Sequence, residues 1–288
     1  MTLQTQSQRS AVIDLQERRA AVTRDLELGT RVSIDKGIFH ATLSRDWELC
    51  GPSGGYIAAI ALRAVGAVAE VGTPASMHCH FLSVPHFAGV ELMVNALKRG
   101  RRSESFNVSM SQDGKPILEA MVRTAADAAG YEHQAHEAPR VPAPEFLATY
   151  RELHPESADV PFWKNVEHRS ADRRDGMGEG SRAYEWIRYR PQACFDDPFV
   201  DAARSLIALD TFNWPAAKRT HPAGGYVALN LDASVWFHRS SEDSAWLLVD
   251  HDCPIAGRGL MSVNGRVWDR DGRLLATGTT QLCCVPGR

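Results

Sequence analysis

The sequence predicts an α+β fold in which one apolar helix followed by a run of antiparallel strands occurs twice in the chain. Three observations lead there. Residues 56–71 carry Ala, Ile and Leu on nearly every side, so a helix over them must be enclosed by protein. Four alternating segments follow, the last two joined at Gln112-Asp-Gly-Lys115, and Asp-Gly accepts the positive φ angles of a tight hairpin. The same order returns after residue 182, with a second Asp-Gly hairpin at Asp271-Gly-Arg273 and with Trp236-Phe237 standing where the first repeat has His80-Phe81.

Residues 1–30 read as a charged N-terminal arm with sparse apolar positions such as Ile13, Leu15 and Val22. The first repeat spans 31–126. It opens with a strand at Phe39-His-Ala-Thr-Leu43, and the break at Gly51-Pro-Ser-Gly-Gly55 starts the helix. Strands are expected over 76–84, 90–98, 103–112 and 116–124. Residues 127–181 are rich in Pro, His, Glu and Arg without periodicity and read as a linker, with Trp163 docking on the body. The second repeat, 182–288, is expected to hold a strand over 183–190, a helix over 199–211, and strands over 226–238, 244–251, 259–269 and 274–284. On one unbroken strand, Tyr226, Asn230, Asp232, Ser234 and Trp236 share a solvent face, opposite Val227, Leu229, Leu231, Val235 and Phe237.

At 288 residues, 44% hydrophobic and 23% charged, the chain can fill one large or two smaller cores. A net charge of -3 without a basic stripe argues against a nucleic-acid partner. The longest apolar run is interrupted by Arg63 and reads as a buried helix rather than a membrane span. Arg9, Arg18 and Arg19 are interspersed with Asp14 and Glu17 and precede no apolar stretch, so the N-terminus does not read as a secretory signal, and a cytoplasmic protein is expected. The six cysteines form no C-x-x-C pair and read as reduced structural thiols. No zinc-ligand spacing is present, so neither a metal nor a cofactor is expected.

Six segments together resemble one known family. They are Gly51-Pro-Ser-Gly-Gly-Tyr-Ile-Ala-Ala59, His78-Cys-His-Phe-Leu82, Arg99-Gly100 with its following hairpin, the Asp210 segment Leu-Asp-Thr-Phe-Asn-Trp-Pro, Leu231-Asp-Ala-Ser-Val-Trp-Phe-His-Arg239, and Gly272-Arg-Leu-Leu-Ala-Thr-Gly-Thr-Thr-Gln281. Their order and spacing over residues 32–286 resemble the acyl-CoA thioesterase II (TesB-like) family. The resemblance implies a double hotdog, in which each curved sheet wraps its helix and the two sheets pair edge to edge. It also implies hydrolysis of an acyl-CoA or acyl-carrier-protein thioester, and a homodimer or higher homo-oligomer. By the same similarity Asp210 would be the base, Gln281 would hold the water, and Asn230 stands where the family carries Thr or Ser.

A carboxylate at the end of an apolar helix suits that task, because partial desolvation raises its basicity; read structurally, Asp210 is a helix-terminal acid satisfied locally. Asn230 brings a donor and an acceptor to the hydroxyl position, with different reach. Gly54 and Gly55 offer N–H groups at a helix start to a carbonyl or phosphate oxygen, as an oxyanion hole would, and are equally ordinary turn residues. The first helix has no acid equivalent to Asp210, so the first repeat is expected to supply scaffold and substrate surface. His78 and His80 share a strand face without a carboxylate at ligand spacing, and Arg99, Arg101 and Arg102 are candidates for phosphate contact. A Gly-x-Ser-x-Gly elbow and dinucleotide glycine motifs are absent. Two alternatives stand beside hydrolysis: an acyl-CoA or acyl-carrier-protein binding module of weak activity, and a hotdog hydratase or dehydratase, against which the lack of a suitably spaced His after Asp210 argues.

Overall fold

The computed structural model describes residues 25–157, 159–171, 180–221, 224–241 and 243–287. The expected arm up to residue 24 and most of the glycine-rich stretch of the linker lie outside them. Thirteen strands make one sheet, every pair of them antiparallel: β1 Ser33–Asp35, β2 Ile38–Thr42, β3 Thr73–Phe81, β4 Gly89–Arg99, β5 Ser103–Gln112, β6 Lys115–Ala125, β7 Val166–Ser170, β8 Arg182–Tyr189, β9 Tyr226–Asn230, β10 Asp232–Phe237, β11 Leu247–Gly257, β12 Leu260–Trp268 and β13 Leu274–Pro286. The helices are α1 Leu26–Gly29, α2 Gly54–Gly66, α3 Tyr150–Leu153, α4 Phe162–Asn165, α5 Pro198–Thr211 and α6 Trp214–Lys218.

The strand order β1-β2-β4-β5-β6-β3-β10-β13-β12-β11-β8-β7 is a palindrome about the β3–β10 pair, where His78 faces Ser234. Each half contributes strand, long helix and meander in the same sequence, which is the duplication expected above. The linker differs from its expectation. It contains β7, which pairs with β8 and extends the sheet at the edge opposite β1, and Trp163 of α4 packs against Phe162, Tyr150, His168 and Phe212.

Helix α2 is buried on all sides from Gly55 to Val65 except at Arg63, whose guanidinium reaches Asp197 at 2.9 Å. Asp197 caps α5, accepting from Phe199 N at 2.8 Å, with Pro198 in the first helical position where its missing N–H costs nothing. Two glycines let the helices touch antiparallel. A Cβ on Gly55 would lie 2.8 Å from Ile207 Cα, and one on Gly66 would lie 2.7 Å from Phe199 Cγ. This arrangement carries the first turn of α2 to the last turn of α5. Tyr56 fixes it from the other side, donating to the Gly29 carbonyl at 2.7 Å and stacking on Trp47. Among the described residues, no helix is long and apolar enough to cross a membrane.

The strand expected over 226–238 is broken. Tyr226–Asn230 pairs with 286–282 of β13, whereas Ser234–Phe237 pairs with 279–276, a slip of one residue around Leu231. Leu231 N donates to the Gln281 carbonyl at 2.8 Å, and Gln281 N, displaced from the ladder, donates to the Asp232 side chain at 3.0 Å. A one-residue slip exchanges the two faces of a strand. Val227 and Leu229 are therefore exposed, while Asn230 turns toward the helices alongside Leu282.

Candidate active site

Asp210, the penultimate residue of α5, is only 4% exposed. Its Oδ2 accepts from Gly55 N at 2.5 Å and its Oδ1 from Asn230 Nδ2 at 2.6 Å; the same Nδ2 also donates to the Asp210 carbonyl at 2.7 Å. The two halves of the chain thus meet on one carboxylate. The positive end of α2 favours the ionised form there. This corrects two expectations. Gly55 N–H faces the acid rather than a substrate oxygen, because the two helices cross at that residue, and the first repeat takes a direct part in the polar group. Gly54 stands beside it: a Cβ there would lie 3.1 Å from both Asp210 carboxylate oxygens.

Asn230 is neither on the solvent face nor free to offer donors. Both its amide hydrogens go to Asp210, and its Oδ1 accepts from Asn213 Nδ2 at 3.0 Å. Asn213 also donates to Thr280 Oγ1 at 3.0 Å. Gln281 is placed differently. Alternation along β13 buries Thr280 and Leu282 toward the helices and turns the intervening Gln281 side chain to the other face. Among the described residues, no side-chain hydrogen bond joins Gln281 to Asp210 or Asn230; its backbone anchors the slip described above. Sequence reasoning passed over Asn213 and Thr280, although each lies within a motif quoted for its neighbours.

Burial pushes the Asp210 carboxyl up from 3.8 to about 6, against the opposing pull of the Asn230 and Gly55 hydrogen bonds. One titratable group interacts with it, and two more lie on the neighbouring strands. Cys79 of β3 is held well above the usual thiol range by burial and by Asp210. His251 of β11, bonded to the Leu209 carbonyl at 3.2 Å, is pushed down to about 4 by burial. Asp232 lies at the strand slip. Because the folded state holds the Asp210 proton more tightly than the unfolded chain, the associated stability is complete below pH 3.8 and is lost as pH rises through about 6. Relative to Asp210→Asn, the wild-type unfolding free energy should fall by about 3 kcal/mol between pH 3.5 and 8. Urea titrations at a series of pH values measure this, and a parallel course for the two proteins would refute it.

The close helix crossing predicts a second outcome. Gly55→Ala places a methyl carbon 2.8 Å from Ile207 Cα and 3.0 Å from Asp210 Cβ, so α2 and α5 must separate. A loss of about 1–3 kcal/mol is expected, read as a lower midpoint in thermal unfolding.

The other candidates have structural partners. Arg99 is 2.6 Å from the buried Glu104 carboxylate, which itself accepts from Glu70 N and Val71 N just beyond α2. That pairing replaces the expected phosphate contact, while Arg101 and Arg102 remain exposed at the β4–β5 turn. His78 packs edge-on against Trp236 at 5.2 Å, and His80 is exposed on the same strand. All six cysteines are free.

Comparison with known proteins places this geometry. A family model described as the acyl-CoA thioesterase N-terminal domain matches residues 43–125, and one described as the acyl-CoA thioesterase C-terminal domain matches 109–285. Acyl-CoA thioesterase 2 of Haemophilus influenzae is 26% identical over 268 residues, covering 85% of this chain and 91% of that protein. Two solved structures share the fold: acyl-CoA thioesterase II TesB2 of Mycobacterium marinum, with TM-score 0.76 at 22% identity over 91% of this chain and 99% of that one, and a hot dog protein of unknown function from Alicyclobacillus acidocaldarius, with TM-score 0.77 at 23% identity over 90% and 97%. With more than half of its residues inside the C-terminal family model and a double-hotdog sheet that folds as the solved relatives do, the chain belongs to the TesB-like acyl-CoA thioesterase II family.

Proposed function

We propose that this protein hydrolyses acyl-CoA thioesters by direct attack of water, with Asp210 as the base. The observation that carries the reading is a buried carboxylate, with a pKa raised to about 6, held on both oxygens at the meeting of the two helices. Ionised at neutral pH, it is basic enough to take a proton from water as the oxygen attacks the thioester carbonyl carbon. Collapse of the tetrahedral intermediate breaks the C–S bond, and the proton passes to the leaving thiolate, giving a carboxylic acid and free CoA. Asn230 holds the carboxylate through both of its amide hydrogens, and its Oδ1 retains a lone pair that can receive a hydrogen from the water. Gly54 N–H, at the first position of α2 and next to Asp210, is the donor we assign to the developing oxyanion. Gln281 enters through its backbone, as the anchor that turns Asn230 inward.

We further propose residues 31–126 and 182–288 as the two repeats, a cytoplasmic location, and a homodimer or larger homo-oligomer as the working assembly. Light scattering on the purified chain tests the last of these. Hydrolysis is tested by free-thiol release from acetyl-, octanoyl-, palmitoyl- and benzoyl-CoA. Turnover of any of them supports the reading and ranks the acyl groups, whereas binding of acyl-CoA without thiol release would turn the assignment to a binding module.

A further inference from the structure

The directions of the hydrogen bonds around Asn230 lead outward to two residues on which its orientation depends. Asn230 donates both amide hydrogens to Asp210, to Oδ1 at 2.6 Å and to the main-chain oxygen at 2.7 Å. Its Oδ1 accepts from Asn213 Nδ2 at 3.0 Å, and the second hydrogen of Asn213 Nδ2 goes to Thr280 Oγ1, also at 3.0 Å. An amide nitrogen only donates and a carboxylate only accepts. The run Asn213 to Asn230 to Asp210 therefore has one direction, and it ends on the carboxylate. Asn213 is 2% exposed and Thr280 is 4% exposed, so bulk water does not compete for these bonds.

Turning the Asn230 amide over would bring two repulsions at once. Its Oδ1 would face an Asp210 oxygen, and its Nδ2 would face Asn213 Nδ2. Asn213 thus selects the amide orientation that presents hydrogens to the acid. Thr280 in turn takes the remaining hydrogen of Asn213, which an apolar residue at that place would leave buried without an acceptor. The three elements involved are distant in sequence: the turn after α5, the end of β9 and the middle of β13. The strand slip at Leu231 is what aligns the last two. The hydroxyl missing from position 230 thereby enters the same group from the neighbouring strand.

We propose that Asn213 and Thr280 are positioning residues for thioester hydrolysis, which hold the Asp210 carboxylate, through Asn230, in the orientation that meets the attacking water. The proposal rests on the reading of Asp210 as the base. The titratable group shown to face that carboxylate, Cys79 of β3, is hydrogen-bonded to neither Asn213 nor Thr280.

The experiment compares wild type, Asp210→Asn, Asn213→Ala, Thr280→Val, Thr280→Ser and the Asn213→Ala/Thr280→Val pair on the four acyl-CoAs named above, with kcat and KM separated and kcat followed from pH 4.5 to 9. Thr280→Val keeps the shape and removes the hydroxyl. It should lower kcat about tenfold, the effect of one buried hydrogen bond, with KM nearly unchanged, and Thr280→Ser should restore most of the loss. Asn213→Ala should lower kcat further and move the acidic limb to higher pH, since the ionised acid loses an aligned donor. The double variant should be little worse than Asn213→Ala alone, because the two act in series. Equal impairment in Thr280→Val and Thr280→Ser, or wild-type kcat and pH profile in Thr280→Val, overturns the proposal while collapse of Asp210→Asn leaves the hydrolytic reading standing. Full activity in Asp210→Asn, or no thiol release by wild type, overturns both. Circular dichroism checks folding, and if Asn213→Ala does not fold, the Val and Ser variants at 280 decide the matter.

Discussion

Asp210→Asn is expected to lower kcat for thiol release by about two to four orders of magnitude, the contribution of a positioned general base, while acyl-CoA binding changes little. The substitution preserves shape and burial and removes the group that accepts a proton. Its NH2 must also face one of the two donors that the carboxylate now accepts, Gly55 N–H at 2.5 Å or Asn230 Nδ2 at 2.6 Å, so the remaining polar set is disturbed in the same step. Wild-type kcat/KM should rise with pH through a midpoint near the Asp210 value of about 6 and level off above it. That limb should be absent from whatever activity Asp210→Asn retains. Stopped assays with a thiol reagent, run in buffers of constant ionic strength, measure both. Retention of more than a tenth of wild-type kcat, with the limb intact, would remove Asp210 from the chemistry.

The duplicated order of helix and strands was legible because it rests on local signals: an all-round apolar helix, Asp-Gly hairpins and alternation of period two. The acid was legible for the same reason, as a charge at the end of an apolar helix. What could not be read was long-range. One inserted residue at Leu231 reverses the faces of the strand before it, and nothing in the alternation of Tyr226 to Phe237 marks that point; the signal in hindsight is Asp232, whose side chain supplies the acceptor that the displaced Gln281 N–H lacks. The close approach of Gly55 to Ile207 is equally invisible from either segment alone, and it is this crossing that directs a backbone N–H to the acid instead of to a substrate. β7 escaped notice because its five residues, Val-Glu-His-Arg-Ser, show no apolar alternation; Glu167 and His168 are buried only because Arg169, Arg188, Arg190 and Glu185, most of them distant in sequence, pair with them.

The largest loss of stability is expected in the middle of the same helix, from Arg204→Met. Arg204 is fully buried and lies 3.1 Å from Asp201 one turn earlier in α5. Its guanidinium donates to the Ser241 carbonyl at 2.9 Å, to Ser241 Oγ at 3.0 Å and to the Ser244 carbonyl at 2.5 Å, while Asp201 accepts from Ser241 N at 2.7 Å. The pair thus fastens α5 to the loop between β10 and β11. Removing the arginine alone leaves a carboxylate and two carbonyls buried without their cation, which costs about 3–5 kcal/mol. An apolar replacement of both charges is a different case, since it also removes the ion that would be stranded; Asp201→Leu/Arg204→Met should recover a substantial part of the loss. Asp210 lies six positions after Arg204, about 9 Å along the helix axis, so kcat per folded molecule should stay near wild type in both variants. Chemical unfolding together with active-site-normalised turnover distinguishes the two effects. A single variant within about 1 kcal/mol of wild type, on the scale where a buried ion is stranded, would show that the loop rather than the ion pair holds this part of α5, whereas a parallel fall in kcat would mean that the seating of Asp210 depends on the anchor of its helix.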